Sequence, residues 1–190
     1  EVQGRTVLKP LVGPLAQGPG DAAALQLRPA AFQGAALACG INPHFGRWDP
    51  YWMAASVIDE AVRNLVAVGA RLDRIAILDN FCAGNPQDPK ILGEIVRAAQ
   101  ACFDVAKAYG TPFISGKDSF YNEFVDSGTG RKKSIPTTLL VTALAQVEDV
   151  RKLVSMDFKK AGNWIYVLGA TKDELGGSRY GIWRETRGGD

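Results

Sequence analysis

Two long segments written for helix, set among runs of strand length, constrain this chain most. The first extends from about Pro50 to Val68. Asp49 stands as its N-cap, Pro50 takes the first helical position and Gly69 closes it. The second runs roughly from Pro89 to Tyr109 and is closed by Gly110. Around them lie short apolar runs: Ala22–Leu27 and Gly34–Cys39, which read as a hairpin pair, then Arg74–Leu78, Phe113-Ile114 leading into Gly116, Pro136 to about Gln146, and Asn163–Leu168. The order β-β-α-β-α-β-β, taken to Gln146, is not a regular βαβ repeat. Only some strands are separated by helices, so the expected fold is α+β, a mixed sheet with helices on one face.

Residues 1–20 hold Pro10, Pro14, Pro19 and four glycines and read as an extended lead-in. Residues 21–150 carry the main body. A composition shift near Val150–Lys160 marks a boundary, and residues 151–190 are too few for a core of their own. The Gly-rich run to Asp190 suggests a chain cut from something longer. A net charge of +2, with Arg131-Lys132-Lys133 as the longest basic run, gives no nucleic-acid footprint. No 18-residue apolar span or signal peptide points to a membrane. Cys39, Cys82 and Cys102 are widely spaced and odd in number, and His44 is the sole histidine. That argues against a disulfide framework and a zinc site, and for a reducing, cytoplasmic setting.

The segment Pro112-Phe113-Ile114-Ser115-Gly116-Lys117-Asp118-Ser119 delivers an apolar run into a small, charged, hydroxyl-bearing loop. A buried strand brings polar groups to a site at its end in this way. Gly116 lets backbone approach a ligand, Lys117 offers a cation for phosphate, Asp118 a hard oxygen for Mg²⁺, and Ser119 a hydroxyl. It is not a P-loop, which needs G-x-x-x-x-G-K-S/T. Five residues separate Gly110 from Gly116, and Asp118 puts a carboxylate where N–H groups should face the anion. A strand ending in a solvated turn is the plainer alternative.

Glu60 and Asn64 stand i, i+4 and share one helix face; both are oxygen ligands of the hard-cation type. With Asp59 and Arg63 beside them, they also read as a solvent-facing polar stripe. Asp21, between Gly20 and Ala22, is either a ligand flanked by small residues or an ordinary turn aspartate. Asp79, after an apolar strand, is either a ligand at a strand's C-terminal end or a cap. His44 lacks a partner in the sequence and reads as a surface residue. Trp48, Tyr51 and Trp52 read as packing at a helix start, with base stacking as the alternative. No nucleophile system of the Ser/His/Asp or Cys/His kind is defensible. The inventory favours Mg²⁺–phosphate chemistry.

Eight blocks, in order, carry a resemblance. They are Gly18-Pro19-Gly20-Asp21-Ala22-Ala23, Asn42-Pro43-His44-Phe45-Gly46, Asp49-Pro50-Tyr51-Trp52-Met53-Ala54-Ala55, Asp59-Glu60-Ala61-Val62-Arg63-Asn64, Leu78-Asp79-Asn80-Phe81, Gly84-Asn85-Pro86, Ser115-Gly116-Lys117-Asp118-Ser119 and Glu174-Leu175-Gly176-Gly177-Ser178. The chain resembles the second half of the synthase unit of phosphoribosylformylglycinamidine synthases. That half has an AIR-synthase-like N-terminal subdomain, matching residues 21–150, and a C-terminal subdomain that 151–190 would begin. The resemblance implies an ATP-dependent ligase of purine biosynthesis, converting formylglycinamide ribonucleotide, ATP and ammonia to the amidine, ADP and phosphate. Ammonia comes from a glutaminase domain or subunit.

Residue by residue, the resemblance implies that Asp21, Glu60 and Asn64 are metal ligands of a second nucleotide site and that Asp79 and Gly116 contact ATP. It makes Ser119 a substrate contact. Lys117 stands where small-type enzymes often carry a metal-binding Asn, and Gly-Lys-Asp-Ser is the large-type form, so the resemblance implies no metal role for Lys117; the residues' own chemistry offers Lys117 to ATP and Asp118 to Mg²⁺. The family's catalytic histidine belongs to the first half, so His44 receives no catalytic role. ATP and Mg²⁺ are the implied cofactors, and a fragment of this kind is expected to be inactive alone. Members of the family pair such subdomains through their sheets, so the isolated chain is expected to form a homodimer or to act as a structural module.

Overall fold

The computed structural model describes residues 3–175 and 178–186. It divides into two units, Glu1–Asp157 and Phe158–Asp190. The elements of the first unit are β1 (Thr6–Leu8), β2 (Leu11–Val12), β3 (Gly18–Pro19), β4 (Ala23–Gln26), β5 (Gly34–Ile41), α1 (Pro50–Ala67), β6 (Ile75–Cys82), α2 (Pro89–Tyr109), β7 (Phe113–Ser119), β8 (Glu123–Val125), β9 (Lys132–Ser134) and β10 (Thr138–Val147). The described part of the second unit holds one helix, α3 (Arg179–Thr186).

Six strands form one sheet in the order β1-β4-β5-β10-β6-β7. Every neighbouring pair is antiparallel except β6–β7, which is parallel and joined across α2. The expected α+β mixed sheet is therefore present. Its two faces differ. On β10, Leu139, Val141, Ala143 and Ala145 are buried, while the residues between them are partly or fully open. On β5 the buried positions are Gly34, Ala36, Ala38 and Gly40. The buried face is the one covered by α1, which packs on β5 and β10 and in turn against α2. Both helices thus sit on one face.

The cap signals of α1 act as expected: the Asp49 carboxylate accepts from the Tyr51 N–H at 2.8 Å, and Gly69 follows the helix at φ +105°. Its buried stripe is Met53, Ala54, Val57, Ile58, Ala61, Val62 and Leu65. Val57, Ile58 and Val62 are β-branched, a helix penalty below about 0.7 kcal/mol each. Burying each contributes about 1.5–3 kcal/mol. Packing, not propensity, therefore decides this helix. At its closest approach to β5 only Gly40 fits: a β-carbon there would lie 3.0 Å from the Ala61 nitrogen and would strike the Val57 carbonyl.

Three sequence expectations need correction. The segment through Gly116–Ser119 is strand rather than loop, and β6 continues past Leu78 to Cys82. The parallel ladder runs on through Asp79↔Gly116, Asn80↔Lys117, Phe81↔Asp118 and Cys82↔Ser119. Those backbone pairings prevail over a turn-like composition. The lead-in supplies β1, which pairs with β4, and a small β2–β3 hairpin. Finally, residues 163–168 form no strand: Trp164, Ile165, Tyr166, Val167 and Leu168 are all exposed. A lone segment has no ladder partner with which to satisfy its backbone. Of the block Glu174–Ser178, Gly176 and Gly177 lie outside the described residues.

Candidate functional site at one rim of the sheet

Strand direction gathers the singled-out residues at one end of the sheet. Leu140, near the start of β10, pairs with Ile41 on one side and Asn80 on the other. The C-terminal ends of β5, β6 and β7 therefore share a rim with the start of β10. Asp21 joins them: it lies two residues before Ala23, which pairs with Leu37, and so reaches the level of Cys39. Along this rim the residues fall into two groups. Ile41 and Asn80 are two strand spacings apart, about 9.6 Å.

The first group is Asp21, Glu60 and Asn64. Glu60 Oε2 accepts from the Ile41 N–H at 2.9 Å, and Asn64 Nδ2 donates to the Cys39 carbonyl at 3.2 Å. The i, i+4 pair is thus anchored to the end of β5. Its neighbours Asp59 and Arg63 pair with each other at 2.7 Å, and Asp59 also accepts from the Tyr109 hydroxyl at 2.6 Å. Each anchored side chain spends one atom on β5 and keeps another oxygen, Glu60 Oε1 and Asn64 Oδ1, outside these contacts. Two carboxylates and an amide oxygen are donor types that suit a hard cation. Among the described residues there is no cluster of three or more His, Cys, Asp or Glu side chains suited to a metal, so this set depends on Asn64.

The second group is Asp79, Gly116, Lys117, Asp118 and Ser119. Asp79 and Gly116 are paired on neighbouring strands, and the space a side chain at 116 would fill is taken by the Asp79 carboxylate: an ideal β-carbon would lie 2.7 Å from its Cγ. The glycine admits Asp79, where the sequence suggested that it admits a ligand. Burial pushes Asp79 above the usual carboxylate range, and the Asp118 charge adds to the effect. Behind it, burial drives the Cys102 thiol up to about 12, with the Asp79 charge contributing. Cys102 is a neutral core thiol and has no nucleophilic character.

Alternation along β7 splits the tetrapeptide. Asp118 shares the helix-side face with Asp79, while Lys117 and Ser119 point to the opposite face. There Lys117 Nζ donates to Ser119 Oγ at 3.2 Å. The rim therefore carries a carboxylate pair on one face and a cation–hydroxyl pair on the other.

Sequence reasoning missed how this rim is held. The loops after β6 and β7 are laced together: Ala83 N–H donates to the Ser119 carbonyl, Tyr121 N–H to the Gly84 carbonyl and Asn122 N–H to the Ala83 carbonyl. The Glu123 carboxylate accepts from the Asn85 N–H at 3.0 Å and pairs with Lys132 at 2.7 Å. The Gly84-Asn85-Pro86 block was the only visible signal. His44 sits at the entry of a single turn at Phe45–Arg47, with no side-chain cap. Tyr51 donates its hydroxyl to Asp104 and packs edge-on with Trp52 in a groove between α1 and α2. No described helix is long and apolar enough to cross a membrane.

A family profile described as "AIR synthase related protein, N-terminal domain" matches residues 19–147. The chain is 39% identical over 178 residues to the phosphoribosylformylglycinamidine synthase subunit PurL of Thermococcus sibiricus, which covers 94% of this chain and 22% of that relative's length. Among solved structures, Thermotoga maritima PurL complexed with AMPPCP superposes with a TM-score of 0.63 at 26% identity, over 80% of this chain and 23% of that one. The same protein complexed with FGAR matches with a TM-score of 0.62 at 26% identity, over 78% and 21% of the two chains. The chain thus spans under a quarter of the length of these relatives.

Proposed function

This chain belongs to the AIR synthase related protein family through its N-terminal domain, and from that premise we propose that it is a nucleotide- and substrate-binding segment of a phosphoribosylformylglycinamidine synthase. The reaction is ATP-dependent C–N ligation in purine biosynthesis: the γ-phosphoryl group of ATP passes to the amide oxygen of formylglycinamide ribonucleotide, and ammonia then displaces phosphate to leave the amidine. The observation that carries the reading is the convergence of Glu60–Asn64 and Asp79–Gly116 on one rim of one sheet. A crevice at the carboxyl ends of strands is where such sheets place ligands.

In this reading Asp21, Glu60 and Asn64 hold one Mg²⁺ and Asp118 would serve a separate one at β7, for which their oxygens fit. Mg²⁺ supplies neutralisation of phosphate charge when bound. ATP would lie along the β7 edge, meeting Asp79 and the Gly116 backbone from the helix side and Lys117 from the other face, with Ser119 against the ribonucleotide. Lys117 brings its cation to the Ser119 hydroxyl, where an anionic oxygen would find both donors. The glutaminase and the first half of the synthase complete the site, in the cytoplasm, so the chain alone is expected to give no ammonia-dependent turnover. Titration with AMPPCP, with and without Mg²⁺, tests the reading. Saturable, Mg²⁺-dependent binding that Glu60→Ala abolishes is the expected result. Binding indifferent to both Mg²⁺ and Glu60→Ala would refute it.

A second reading, a structural and dimerisation module, rests on the sheet face opposite the helices. Leu37 and Ile41 are 38% and 46% exposed there, beside the half-buried Leu78, Leu140 and Leu144. A contiguous apolar face of this kind asks for a cover. A second copy pairing through the sheet would give a homodimer, visible as a dimer mass in sedimentation equilibrium.

A further inference from the structure

Tyr121 carries a backbone conformation that only glycine adopts freely. Its φ is +59°, and the residue is 56% exposed. For a bulky side chain this is an outlier that the surroundings must impose. The imposing contacts are on both sides of it. Its N–H donates to the Gly84 carbonyl at 2.9 Å, its carbonyl accepts from the Glu123 N–H at 2.9 Å, and Asn122 Nδ2 reaches back to the Ser119 carbonyl at 2.6 Å. The turn from Ser119 to Asn122 is thereby closed, and it holds the half-exposed Tyr121 two residues beyond Ser119, just past the end of β7. Strain of this kind beneath a largely exposed ring points to a use for the ring itself.

We propose that Tyr121 binds the ribonucleotide substrate, packing its ring on the sugar or on the planar amide while Ser119 and Lys117 meet the polar groups. The inference rests on the function proposed above and assigns the turn to the substrate end of the site. Tyr121 follows Ser119 and stands five residues beyond Gly116, where the ATP contacts were placed. A tyrosine offers a flat apolar face with a polar tip, the combination that suits a sugar or an amide.

The test uses the complete synthase carrying this segment, with KM measured separately for formylglycinamide ribonucleotide and for ATP. Tyr121→Gly removes the ring and relieves the backbone, so it is expected to raise the thermal midpoint while raising KM for the ribonucleotide tenfold or more. KM for ATP stays within twofold. Tyr121→Phe retains the ring face and keeps most of the affinity. Unchanged ribonucleotide KM in Tyr121→Gly, or equal rises for both ligands, overturns the assignment while leaving the proposed function intact. A wild-type synthase that neither binds nor turns over the ribonucleotide overturns the proposed function, and this assignment with it.

Discussion

The Asp79 carboxylate occupies the room that a side chain at Gly116 would need. Its Cγ lies 2.7 Å from where a β-carbon on residue 116 would stand, well inside the closest approach that real β-carbons make. The two residues face each other across a parallel ladder, so β7, the edge strand, cannot retreat without breaking its pairings with β6. Position 116 is glycine because position 79 is a carboxylate turned to the same face.

Gly116→Ala is therefore expected to displace the Asp79 carboxylate and to destabilise the chain by about 1 kcal/mol, the low end of overpacking costs, because position 116 is exposed and the obstacle is the end of one side chain. Thermal or urea denaturation measures it. Pairing the change with Asp79→Gly should recover most of the loss, because the steric cause has gone. A double variant as unstable as Gly116→Ala alone would show that the clash lies elsewhere.

Asp79 also sets a pH dependence. Burial and Asp118 raise its pKa in the fold above 3.8, the unperturbed value. The charged form is thus disfavoured by folding, and the relative stability present below the unperturbed value is lost as pH rises through the folded pKa. Asp79→Asn removes that charge. The variant is expected to be more stable than the wild type at pH 7, with the difference shrinking towards zero as pH falls below 3.8. Denaturation curves at several pH values check it; a difference independent of pH would contradict the assignment.

How much of this was legible beforehand depends on the range of the interactions. The ends of α1 and α2 were readable, because Asp49, Pro50, Gly69 and Gly110 act within one turn of the chain. The i, i+4 position of Glu60 and Asn64 was readable too. Their attachment to Cys39 and Ile41 was not, since it joins residues 19 to 25 positions apart and depends on which strand α1 covers. The Gly116–Ser119 segment misled for the same reason. Its glycine, charges and hydroxyl argue for a loop, and only the non-local ladder with β6 makes it a strand. Residues 163–168 misled in the opposite direction: their composition argues for a strand that no described partner completes. Tyr121 gave no signal, because φ is set by the hydrogen bonds of two loops and not by the residue type.

Glu60 separates a structural from a metal-binding role. Glu60→Gln keeps a carbonyl oxygen to accept the Ile41 N–H, so the fold should change little, within about 0.5 kcal/mol. It removes the charge a divalent cation needs. Mg²⁺-dependent AMPPCP binding is expected to weaken at least tenfold in Glu60→Gln, with the melting temperature preserved. Equal binding by both proteins would confine Glu60 to anchoring β5.

The uncovered sheet face gives the last prediction. Leu37 and Ile41 alternate with the buried Ala36, Ala38 and Gly40 on β5, so they project from the face that the helices leave bare. A leucine fully transferred from water contributes about 1.5–3 kcal/mol, and a second copy would bury several such side chains at once. Leu37→Glu places a charge in the middle of that face without touching the core beneath α1. If two copies meet there, the variant should run as a monomer in sedimentation equilibrium where the wild type runs as a dimer, with its thermal midpoint as a monomer no lower than that of the dissociated wild type. A dimer that survives Leu37→Glu would move the interface to another surface.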